Sequence, residues 1–133
     1  MRFLWLGILT SGFVASLGAA EDPVQFNRDI RPIMSDTCFH CHGFDPKSRK
    51  GGLRLDLREE ALKAGKSGAI AIVPGKPADS ALLSRVGHAD PDERMPPQGE
   101  PLTPNEVRTL EQWIAAGATY AEPWAFRPLQ DPP

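Results

Sequence analysis

Apolar residues recur along this chain in short stretches, most of them at helical spacing and separated by turn-forming residues. Phe26, Ile30 and Ile33 fall on one face of a helix predicted over Val24 to Asp36. Asn27 is its expected N-cap. Pro32 either interrupts that helix or marks the first turn of one that starts later. Leu53 and Leu55 alternate with Arg54 and Asp56, which predicts a brief extended piece from Gly51 to Asp56. Asp56-Leu57-Arg58-Glu59 then fits a capping pattern for a helix running to about Ala64. Ala78 to Val86 reads as helix, with Leu82, Leu83 and Val86 on one side. The last helix has the fullest set of signals. Thr103 is the N-cap, Pro104 the first helical residue and Glu106 the partner in a capping box. Val107, Leu110, Trp113 and Ile114 form its apolar stripe, and Gly117 stops it.

Loops connect these pieces. Residues 43–52 are polar and basic, Gly65 to Gly75 is a turn around the apolar stretch Ala69 to Val73, and His88 to Pro101 is rich in proline. Fourteen prolines and twelve glycines in 133 residues agree with short elements and many turns. The 41% hydrophobic and 24% charged residues are ordinary globular values. A net charge of −2 argues against nucleic acid as a partner, because phosphate binding needs clustered Lys and Arg.

The N-terminus changes the compartment. Arg2 precedes an uncharged, largely apolar run from Phe3 to Leu17, and Gly18-Ala19-Ala20 supplies small residues before Glu21-Asp22. Residues 1–20 therefore read as a signal peptide, and the chain as exported to a periplasmic or cell-envelope location. Left uncleaved, the same run is a membrane anchor. Residues 21–121 form the expected domain. Residues 122–133, with Pro123, Pro128, Pro132 and Pro133, read as a linker or the truncated start of a further domain.

Cys38-Phe39-His40-Cys41-His42 is C-x-x-C-H, the pattern of c-type haem attachment. Two thiols add to the two vinyl groups of one porphyrin, and two intervening residues let the loop reach both. The histidine that follows is held under the iron as proximal ligand, a role imidazole suits. One covalent haem c on Cys38, Cys41 and His42 also provides the staple that a small domain needs. A thiol–disulfide protein and a zinc site are the competing readings. Zinc normally takes four ligands, and only His40, His42 and His88 accompany the two cysteines. His40 is expected to face solvent.

For a sixth ligand the sequence offers Met95, in Arg94-Met95-Pro96-Pro97. Thioether sulfur is a soft ligand, and His/Met ligation raises the reduction potential. Met34 and His88 are its rivals. Phe26, Ile30, Leu53, Leu55, Leu82, Leu83, Val86, Leu110 and Trp113 are candidates for core and haem pocket together. Arg54, Arg85 and Arg94 are candidates to pair with a haem propionate.

Several segments, in order, resemble the planctomycete-type cytochrome c domain. They are Phe26 to Met34, Cys38 to Gly43, Lys50 to Asp56, Ile72-Val73-Pro74-Gly75, Met95-Pro96-Pro97, and Trp113 to Ala118. The resemblance implies an all-α, class I cytochrome c-like fold around one haem, with long Pro/Gly-rich loops. It makes Cys38 and Cys41 the thioether positions, His42 the proximal ligand and Met95 the distal ligand. It also implies a larger exported protein in which Trp124 to Pro128 begins the continuation. Electron transfer to a redox partner or an attached downstream domain is then the expected function. An enzyme or gas-binding site with an open distal position is the alternative, with His88 its only obvious acid–base residue.

Overall fold

The computed structural model describes residues 22–122. The predicted signal peptide and residues 123–133 of the predicted proline-rich tail lie outside them. Among the described residues all regular structure is helical, apart from a single antiparallel bridge between Ala64 and Ile70. None of these helices is long and apolar enough to cross a membrane.

The first helical segment has two parts. A wide π-type turn spans Phe26–Ile30, and helix α1 spans Arg31–Thr37. Pro32 explains the division. Proline has no N–H to donate, and its ring would strike the carbonyl four residues back in a continuous α-helix. The wider turn, closed by the Arg31 N–H on the Phe26 carbonyl, leaves Pro32 in the first turn of α1, where its missing donor costs nothing. Asn27 is not the N-cap. Gln25 holds that position, and the Asn27 side chain instead donates to the Glu122 carbonyl at 2.6 Å and accepts from Arg31 Nε at 3.1 Å.

Helix α2 is one turn, Phe39–His42, and α3 is another, Arg58–Ala61. The expected extended piece over Gly51 to Asp56 is irregular chain. Gly51 and Gly52 both take positive φ, 61° and 67°, so the backbone turns where a strand would continue. Asp56 does not cap α3, because its carboxylate is taken by the Arg54 guanidinium, and Leu57 stands at the N-cap. The helix stops at Ala61, short of Ala64, where the chain enters the bridge to Ile70.

The helix expected over Ala78 to Val86 is split. Pro77–Asp79 is a 3₁₀ turn, Ser80 is extended, and α4 spans Ala81–Val86. The buried Ser80 hydroxyl causes the break. It accepts from the Val73 N–H at 2.9 Å and donates to the Lys76 carbonyl at 3.0 Å, local bonds that compete with a helix ladder. Helix α5, Pro104–Ala115, matches its sequence signals. The Glu106 N–H donates to Thr103 Oγ1, and the Thr103 N–H donates to the Glu106 carboxylate.

The core forms where α5 packs on the π-type turn and on α4. Ile30, Met34, Ile72, Leu110 and Ile114 are fully buried there. Of the expected core residues, Leu53 and Leu83 are only half-buried but pack against it. Phe26, Trp113 and Tyr120 form an aromatic cluster in which Phe26 and Tyr120 stack with centroids 4.4 Å apart and Trp113 is tilted against both. Two hydrogen bonds hold that cluster: Trp113 Nε1 donates to the Thr119 carbonyl, and the Tyr120 hydroxyl to the Leu55 carbonyl, both at 2.9 Å.

Candidate haem site

The C-x-x-C-H residues follow directly on α1, with Cys38 between it and α2. The Cys38 N–H caps α1 on the Met34 carbonyl at 2.8 Å, and the His42 N–H returns to the Cys38 carbonyl at 2.8 Å. Cys38, Cys41 and His42 therefore sit on one tight helical turn. The following loop folds back on it: Lys50 N–H donates to the Cys41 carbonyl at 2.8 Å, and Leu55 N–H to the His42 carbonyl at 2.7 Å. Arg49 secures the first part of that loop, with Nε on the Gly43 carbonyl and Nη2 on the Phe44 carbonyl. The backbone of the motif is thus fixed from both sides.

Gly43 was prominent in the sequence only as part of a pattern, and the structure supplies its reason. A Cβ on Gly43 would stand 2.2 Å from the Phe39 carbonyl oxygen, inside the turn that holds the motif. No contact in the sequence signals that approach.

Cys38 is buried and Cys41 half-buried, and both thiols are free. Burial pushes the Cys38 thiol up from its ordinary range, against a smaller opposing effect of the Thr37 hydroxyl. A raised thiol is a poor nucleophile for disulfide exchange, which weighs against the thiol–disulfide reading. Among the described residues no three His, Cys, Asp or Glu side chains converge as a metal cluster. The motif's two sulfurs and imidazole thus do not gather around one point as zinc ligands do.

His42 is half-buried, and burial pushes its imidazole down, toward the neutral form that ligates metal; the Lys50 backbone acts the other way. Its Nδ1 is sealed from solvent without a hydrogen-bond partner. A buried polar atom left unpaired is uncommon in a folded protein. The residues fit a haem: two cysteines spaced for thioethers and, directly after them, a half-buried imidazole pushed toward its neutral form. Cys38 and Cys41 would hold its edge and His42 its iron.

Met95 is half-buried and packs against the core. Its N–H donates to the Arg85 carbonyl at 2.9 Å, which fixes it to the end of α4. The rivals are placed differently. Met34 is fully buried as core in α1. His88 is exposed, and its Nδ1 accepts from the Asp90 N–H at 3.2 Å. His40 is exposed, as expected. The three arginines also separate. Arg54 is paired with Asp56 and Arg85 with Glu93, whereas Arg94 Nε is buried without a partner among the described residues.

Two open grooves lie elsewhere on the surface. One is lined by Arg28, Asp29, Asn105 and Glu106, the other by Pro77, Leu83, Val107 and Glu111. Neither is lined by the motif or by Met95.

Residues 38–99 match the model of a family described as planctomycete cytochrome C. No curated protein and no solved structure matches the chain. The matched stretch opens on Cys38 and contains Cys41, His42 and Met95. A cytochrome c family domain implies covalently held haem c.

Proposed function

Residues 38–99 belong to the planctomycete cytochrome C family, and from that premise we propose that the chain is a mono-haem electron-transfer domain of class I-like fold, working in an exported compartment. Cys38 and Cys41 carry the haem, His42 is the proximal ligand and Met95 the distal one. The observation that carries this reading is the C-x-x-C-H turn, whose half-buried His42 is pushed toward its neutral form, within the same family-matched stretch as Met95.

The bound group supplies one redox-active iron. The chain's residues set its surroundings. The backbone bonds from Lys50 and Leu55 hold the attachment turn still, so little reorganises when charge changes. Ile30, Met34 and Leu110 give an apolar interior that excludes water. If His42 and Met95 both hold the iron, no position would be left on it for a substrate, which favours electron transfer over catalysis. Its partner is a redox protein or a downstream domain of the same polypeptide. Export rests on the signal-like residues 1–20.

The test is Met95→Ala in protein matured with covalent haem. Loss of the methionine-to-iron charge-transfer band, a lower reduction potential and new binding of carbon monoxide are expected. An unchanged ligand spectrum would overturn Met95 as ligand.

A further inference from the structure

The buried side-chain nitrogen or oxygen atoms left without a partner among the described residues are two: His42 Nδ1 and Arg94 Nε. The first belongs to the haem-attachment motif. The second lies next to Met95, in a separate part of the chain. Burying a guanidinium nitrogen without an acceptor is costly, because the charge loses water and gains nothing in return. Arg54 and Arg85 avoid that cost. Arg54 reaches the Asp56 carboxylate, and Arg85 reaches both the carboxylate and the carbonyl of Glu93.

The Arg94 backbone is also fixed in advance. Its N–H donates to the Asp90 carbonyl at 3.0 Å, and the next N–H, that of Met95, donates to Arg85. Arg94 as a whole is half-buried, and its buried Nε has no acceptor among the described residues while its backbone is held at two adjacent points. The planar fork of arginine matches a carboxylate, in the strongest class of hydrogen bond available to it. A haem carries two such carboxylates.

Resting on the haem reading above, we infer that Arg94 binds a propionate carboxylate of the haem carried by Cys38 and Cys41. The Arg94-Met95 segment then docks at two adjacent points, through a sulfur to the iron and a guanidinium to a carboxylate. Arg85 and Glu93 satisfy each other and take no part in that contact.

The experiment is redox-difference infrared spectroscopy of the matured full chain, with ¹³C in the haem propionates to identify their bands. Arg94→Gln is compared with the parent protein and with Arg85→Gln as control. The inference expects the labelled carboxylate bands to shift in Arg94→Gln and not in Arg85→Gln, with a fall in reduction potential for Arg94→Gln. If Arg94→Gln does not accumulate, Arg94→Lys replaces it, and the exchange of a fork for an ammonium still displaces the bands. Labelled bands that match the parent protein in the Arg94 variant overturn the inference while leaving the haem reading intact. Parent protein without covalent haem overturns the haem reading itself.

Discussion

The Met95 N–H donates to the Arg85 carbonyl at 2.9 Å, so the last turn of α4 and the methionine loop form one unit. The side chains add an ion pair between Arg85 and Glu93, but both are about half exposed, at 47% and 53%. Water and salt screen such a pair, and its worth is below about 1 kcal/mol. Positioning of Met95 therefore rests on the backbone bond. Glu93→Gln is expected to change unfolding free energy by less than about 1 kcal/mol and to leave the methionine-to-iron band in place. Denaturant titration and a visible spectrum check both.

Helix α5 depends on its start. Thr103→Ala removes the acceptor of the Glu106 N–H and is expected to cost about 1 kcal/mol in denaturant unfolding. The cap also responds to acid. The Thr103 backbone N–H, and then its hydroxyl, hold the Glu106 carboxyl below its ordinary value of 4.5. The ionised form thus binds better in the folded state. Its contribution is complete above pH 4.5 and is lost as pH falls through the lower folded value. Unfolding followed from pH 6 to about pH 3 is expected to show a smaller acid loss in Glu106→Gln than in the parent protein.

Gly43→Ala places a methyl group against the Phe39 carbonyl oxygen, where backbone must move to admit it. Overpacking of this kind costs roughly 1–3 kcal/mol. The displaced atoms belong to the turn carrying Cys41 and His42, so the yield of covalently attached haem is expected to fall with stability. Haem-stained gels of equal protein loads measure the yield. A normal yield would show that the attachment turn tolerates movement.

Tyr120 joins the aromatic cluster to the segment before α3. Burial pushes its phenol far above the usual range, so it stays a neutral donor to Leu55. Tyr120→Phe keeps the stack on Phe26 and removes only that bond, at an expected cost of about 1 kcal/mol in denaturant unfolding.

How much of this was legible in the sequence varies with the kind of signal. The α5 cap was readable because Thr103, Pro104 and Glu106 act within one turn. The C-x-x-C-H residues were readable as a pattern for the same reason, and the family match begins on its first cysteine. Asn27, Asp56 and Ser80 misled because each side chain found a different partner: the Glu122 carbonyl, the Arg54 guanidinium, and the Val73 and Lys76 backbone. Nor could spacing separate Arg54, Arg85 and Arg94. Only the placement of Asp56 and Glu93 shows which arginine is left without a partner among the described residues.

The central claim is one haem held covalently by Cys38 and Cys41 between His42 and Met95. The most direct measurement is the visible spectrum of the full chain, oxidised and reduced, after export in a host with c-type maturation machinery. The account predicts haem that resists acid–acetone extraction, sharp low-spin bands on reduction, and a methionine-to-iron charge-transfer band on oxidation. Covalent haem with a high-spin spectrum would contradict the Met95 ligation and move the function toward ligand binding or catalysis. A colourless protein, from cells that mature a control cytochrome, would contradict the account as a whole.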